Sequence, residues 1–175
     1  QSSSDTVRTV ALSGRQLLDA TRGATLMLNP NTTPSTLYPE EIGALLDHGE
    51  VAVMESEVLP ERQILVAIPD PKPEWLIKPL VALYQALDYV DAAYVVAVRL
   101  PEAPSRELLL VVLAVARPNS ERAARASIMT LQPICAAQEI AVDLTTFEPG
   151  NPPAWIVDTG IKEFFSRLTS GRSVH

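Results

Sequence analysis

The two stretches Tyr94-Val95-Val96-Ala97-Val98 and Leu108-Leu109-Leu110-Val111-Val112-Leu113 decide the reading of this chain. Each is a short, uncharged apolar run, and Pro101–Ser105 separates them as a turn, so together they read as a β-hairpin, Val90 to Leu100 and Glu107 to Ala116. Side chains alternate between the faces of a strand. Tyr94, Val96 and Val98 therefore share one face, and Ala93, Val95 and Ala97 the other. In the second strand Leu108, Leu110 and Val112 oppose Leu109, Val111 and Leu113. Both faces are apolar. Strands of that kind are buried on both sides, so a cover is expected for each face of the sheet.

Working outward, Ile64 to Ile68 reads as a strand closed by Pro69-Asp70-Pro71. A helix follows, with Trp75, Leu76, Leu80, Leu83, Tyr84 and Leu87 at helical spacing, and Pro79 implies either a kink or a later start. Beyond the hairpin, Asn119 or Ser120 is expected to cap a helix carrying Ala123, Ala124, Ile128, Leu131 and Ile134, with Pro133 late in it. Ile140 to Phe147 alternates as a last strand, Pro149–Pro153 is a loop, and Ile161 to Leu168 is expected to be a terminal helix. The order β-α-β-β-α-β predicts an α+β fold with a ferredoxin-like, split-βαβ module. In that strand order Val90–Leu100 lies at a sheet edge, where an apolar strand without guarding charges invites pairing with another strand.

The first 60 residues carry weaker signals. Ser13 caps a short helix to Asp19 or Ala20 that Gly23 ends, and Ala24 to Leu28 is a short strand stopped by Asn29-Pro30-Asn31. Pro39 begins a helix with Glu40 and Glu41 in its first turn, Ile42, Leu45 and Leu46 on its apolar face, and Gly49 just past its end. Val51 to Met54 is a further short strand. The expected division is a small α/β segment, residues 1–60, and the βαββαβ domain, residues 61–175.

Composition narrows the function classes. Apolar residues make up 47% of the 175, yet no apolar run approaches the ~18–20 residues that cross a bilayer. No membrane span is expected, the single cysteine, Cys135, excludes an internal disulfide framework, and a reducing, cytoplasmic setting is the expectation. Net charge is −7, and between Glu40 and Arg62 seven acidic side chains face Arg62 alone. A surface of that sign repels phosphate, which disfavours nucleic acid as a partner. The third strand, Glu107–Ala116, also lacks the aromatics on which RNA-recognition modules stack bases.

The search for chemistry finds little. His48 lies in an acidic turn beside Asp47 and Glu50, and His175 is at the end; neither has metal-ligand spacing. Cys135 sits among alanine and isoleucine with no base or cation beside it, the setting of an inert thiol. There is no Gly-x-Ser-x-Gly elbow and no glycine-rich phosphate loop. Glu55 and Glu57 could pair as acid and base, but two-residue spacing in a charged linker is ordinary. No catalytic residue, cofactor or metal is expected.

Several segments together resemble the SseB family, the bacterial enhanced-serine-sensitivity proteins. They are Gly23 to Pro30, Pro39-Glu40-Glu41-Ile42 with Leu45-Leu46, Pro73-Glu74, Val90 through Val95, Leu108–Leu113, Val142-Asp143-Leu144 and Phe164-Phe165. The resemblance implies a truncated N-terminal domain followed by a C-terminal domain, a reading that Gln1 in place of an initiator Met also suggests. Its name records a growth phenotype and supplies no catalytic residues. The resulting expectation is a non-enzymatic regulatory or protein-interaction module, linked by that resemblance to serine sensitivity. A protein partner or self-association would use the sheet. The candidate surface is Tyr94, Val96 and Val98 together with Glu40, Glu41, Glu55 and Glu57. The alternatives are a small-molecule, amino-acid-sensing domain, and an enzyme whose site a partner or missing residues complete.

Overall fold

A five-stranded sheet packed under two helices organises the larger part of the chain. The structure, a computed structural model, describes residues 11–49, 51, 65–100, 103–138 and 141–167. The chain divides into two compact units, Gln1–Val51 and Ala52–His175. It is mixed α+β throughout.

In the first unit, helix α1 (Gly14–Ala20) begins where Ser13 and Gln16 cap each other reciprocally, the side chain of each satisfying the other's backbone N–H. Strands β1 (Leu26–Leu28) and β2 (Ser35–Leu37) form an antiparallel ribbon around Asn29, which takes a positive φ of 47°. Helix α2 (Pro39–His48) starts on proline and stops at Gly49, whose φ of 80° is the left-handed conformation that ends helices. Arg15 of α1 donates to the Leu46 carbonyl of α2 at 3.3 Å.

The second unit holds β3 (Leu65–Ala67), α3 (Glu74–Ala86), β4 (Ala92–Leu100), β5 (Ala103–Ala114), α4 (Arg117–Gln138), β6 (Val142–Phe147), α5 (Ala154–Thr159) and β7 (Phe165–Ser166). The hairpin is real, with Tyr94 opposite Val112, Val96 opposite Leu110 and Val98 opposite Leu108. Strand β6 lies parallel to β5, as a strand–helix–strand crossover through α4 requires.

The lateral order departs from expectation. A split-βαβ sheet would interleave its strands, but here they run β3-β4-β5-β6 in sequence order. Hydrophobic periodicity says which side chains face inward and says nothing about which strand lies beside which. As a result Val90–Leu100 is not a free edge: β5 flanks β4 on one side, while β3 and β7 pair with it on the other.

The main core lies between the helix face of the sheet and α3 with α4. Leu76, Leu80 and Tyr84 of α3 and Ala123, Ala126 and Leu131 of α4 meet Ala93, Val95, Leu109, Val111 and Leu113. Pro79 removes the helix bond to the Trp75 carbonyl, yet α3 runs unbroken from Glu74. An interior proline costs about 3 kcal/mol, and burying Leu76, Ile77, Leu80 and Tyr84 at roughly 1.5–3 kcal/mol each outweighs it. Helix α4 likewise passes through Pro133, and it starts at Arg117, earlier than the expected caps at Asn119 and Ser120. Its cap is not local: the Glu148 carboxylate, beyond β6, accepts from the Arg117 backbone N–H at 3.1 Å.

Two further corrections concern the C-terminal part. Ile161–Leu168 was expected as a helix, but the helix is α5, ended by Gly160 at a φ of 64°, and Phe165–Ser166 joins the sheet instead. Phe165 is buried with its ring centroid 5.7 Å from that of Tyr84, which holds the segment extended beside β4. Arg167 fastens it further, donating from Nε to the Val90 carbonyl and from its terminal nitrogen to the carbonyls of Tyr84 and Leu87. The Tyr84 and Leu87 carbonyls lie at the end of α3, where a cation is also favoured by the helix dipole.

The second face of the sheet was expected to need the N-terminal segment or another chain as its cover. Within this unit the segment after β6 lies over it: Trp155 and Ile161 pack against Val96 and Val98, with Val66, Tyr94, Leu108 and Leu110 around them.

Candidate functional site: a notch in the sheet edge

The expected surface residues that the structure describes differ in exposure. Val96 and Val98 are 0% and 4% exposed, so in the folded chain they are core. Tyr94 is half-buried on the same face, its ring 6.1 Å from Phe147. Its phenol pKa is raised, first by burial and then by the nearby negative charge of Glu163. Glu41 was expected in a solvated acidic face but is 2% exposed, and its carboxylate accepts from the Tyr38 N–H at 2.9 Å, closing the first turn of α2. Glu40 is half-buried in that turn. Glu55 and Glu57 lie outside the described residues. Glu41 is thus folded into the first turn of α2 and offers no carboxylate to a solvated face.

His48 is the last residue of α2 and is exposed, where a histidine favours the negative end of the helix. Cys135 packs half-buried against the main core, and burial pushes its thiol pKa up, away from the thiolate. Among the described residues no group of three or more His, Cys, Asp or Glu side chains could hold a metal ion.

What the sequence did not reveal is a gap along β4. On the edge away from β5, β3 pairs with Ala97–Arg99 and β7 pairs with Ala92–Ala93. The stretch between them, residues 94–96, has no strand beside it among the described residues. The Ala93 carbonyl points to this edge, because it accepts from the Phe164 N–H at 2.9 Å. Backbone groups alternate along an antiparallel strand, so Val95 turns its N–H and C=O outward too. The β3 ladder ends at Ala67, opposite Ala97. Two residues further along the chain is Pro69, which has no N–H to give to another rung.

A hollow of about 340 Å³ occupies this gap, lined by Ile68, Pro69, Lys72, Val95, Gly160, Ile161, Lys162, Glu163 and Phe164. Its walls are mostly apolar, and Ile68 at its rim is 67% exposed. Two lysines and one glutamate give the lining a positive balance within a chain of net charge −7. A second hollow of about 370 Å³ lies on the other side of the Pro69–Pro73 loop, against Trp75 and Leu109.

Comparison of the chain with protein-family models, with curated proteins and with solved structures gives no match. Among the described residues no helix is long and apolar enough to cross a membrane.

Proposed function

We propose that this chain is a non-enzymatic interaction module that engages a protein partner at the β4 notch. The observation that carries the reading is an apolar hollow opening on unpaired strand backbone, rimmed by the exposed side chain of Ile68. An unguarded stretch of strand edge is a template for another chain, and large exposed apolar side chains beside it supply the area for contact. The resemblance of several segments to the SseB family supports a regulatory role, since that family is defined by a growth phenotype and not by a reaction.

The test places a photoactivatable cross-linking residue at position 68, and at Lys78 on the exposed side of α3 as the control. In extracts of the source cell, irradiation of the position-68 protein should give a discrete heavier species that the position-78 protein lacks. Equal labelling from both positions, or none from either, would overturn the reading.

A further inference from the structure

From the geometry of the notch we infer that it binds the carboxyl terminus of a polypeptide whose last side chain is apolar. This rests on the interaction reading and specifies what the site takes.

Length argues first. The free stretch of β4 is residues 94–96, which at about 3.4 Å per residue spans roughly 10 Å. Both ends are closed in line with the strand, by Ala67 on one side and by Phe164 and Phe165 on the other. A continuous strand laid along β4 would collide with one or both. A chain end, contributing its final residue and little more, fits.

Hydrogen bonding argues next. Val95 presents one donor and one acceptor to the gap, and β3 ends at Ala67, opposite Ala97, before it reaches them. A terminal residue seated beside Val95 would supply the pair that the end of β3 leaves unmade. Its own N–H donates to the Val95 carbonyl, and an oxygen of its carboxylate accepts from the Val95 N–H. This is the pattern of a hydrogen-bonded antiparallel pair, with a carboxylate in place of the usual peptide carbonyl.

Charge selects which end of a chain is taken. Lys72 and Lys162 line the hollow against Glu163 alone, so a terminal carboxylate is favoured over a terminal ammonium. Lys72 is not locked away: its contact with Glu74 is a 3.6 Å surface pair with the lysine side chain 62% exposed. The remaining lining, Ile68, Ile161 and Phe164 among it, is apolar and suits an aliphatic last side chain.

The experiment uses the full chain labelled with ¹⁵N and titrated with N-acetyl-Ala-Ala-Leu, with its carboxyl-terminal amide and with free leucine. The free-acid peptide should move the amide signals of Val95, Lys72 and Ile161–Phe164, with millimolar or tighter affinity. The amide should bind at least about tenfold more weakly, a loss of 1.4 kcal/mol for one charge-assisted contact. Lys72→Glu and Lys162→Glu, both exposed changes that leave the core intact, should each weaken the free acid to a similar extent. No signal change at ~10 mM peptide, a Kd weaker than about 4 kcal/mol of binding allows, would overturn the proposal. Equal binding of acid and amide would overturn it too. Free leucine binding as tightly as the peptide would make the notch a small-molecule site and would also count against it. If the position-68 cross-link forms while the peptides fail, this specificity falls and the interaction reading stands.

Discussion

Between α3 and α4 the core contains one polar pair, and its wiring predicts an asymmetric pair of mutants. The Ser127 hydroxyl donates to the Ala123 carbonyl one turn earlier at 2.7 Å. Its single proton is then committed, so the Tyr84 hydroxyl, 2.9 Å away, must be the donor in the Tyr84–Ser127 bond. Both residues are 0% exposed. Tyr84→Phe removes the donor and leaves Ser127 one acceptor short, which should cost about 1 kcal/mol, the net worth of an ordinary hydrogen bond. Ser127→Ala does more harm, because it strands a buried hydroxyl donor. That penalty is about 1–3 kcal/mol, from which the better helix propensity of alanine returns roughly 0.5 kcal/mol. The double variant strands nothing and should cost less than the sum of the singles by about 1 kcal/mol. Urea denaturation of the four proteins gives the cycle, read at constant slope. Additive losses, or Tyr84→Phe as the worse single change, would refute the assigned proton direction. The same pair sets an alkaline limit. Burial raises the Tyr84 pKa above its ordinary 10.0, so beyond that pH the unfolded chain releases a proton that the folded chain keeps. Stability should therefore fall as pH rises above 10, by up to about 1.4 kcal/mol per unit for this group, and Tyr84→Phe should flatten that fall.

Arg167→Ala should cost about 1–3 kcal/mol, and Arg167→Lys should recover little, since one ammonium cannot span the three carbonyls that the guanidinium reaches; thermal melts of both variants check this. Val96→Lys puts a charge at a 0% exposed position beneath Ile161 and should lower stability by about 2–4 kcal/mol; an unchanged denaturation midpoint would mean that this face is open to water. Cys135 should react slowly with iodoacetamide at pH 7 in the folded state and at the rate of an ordinary thiol in urea, because burial disfavours its thiolate; equal rates would refute its packing against the core.

Much of the element content was legible because each signal is local. Alternation marked the faces of β4 and β5, helical spacing marked the buried side of α3, and Ser13 and Gly49 marked helix ends that their own neighbours satisfy. The start of α4 was misread for the opposite reason: its capping carboxylate, Glu148, lies 31 residues away in sequence. The C-terminal segment was misread because Phe164 and Phe165 are as apolar in a helix as in a strand, and only contact with Tyr84 and Ala93 decides between them. Glu41 looked like one of a run of solvated acids until the fold turned its carboxylate onto the Tyr38 amide at the start of α2.

The candidate site illustrates the division most sharply. The sequence by itself determined that the hairpin is apolar on both faces, that proline interrupts the chain after Ile68, and that the chain is acidic overall. It determined no lateral strand order, because every inward-facing pattern found is compatible with several orders. Tertiary structure alone placed β3 and β7 end to end along β4, and collected Lys72 and Lys162, which lie on opposite sides of Val95 in the sequence, around one stretch of backbone that no rule of spacing connects to either. Sequence patterns record what each residue prefers to be buried against. Which backbone groups are left without a partner depends on where every strand ends, and that is a property of the assembled sheet.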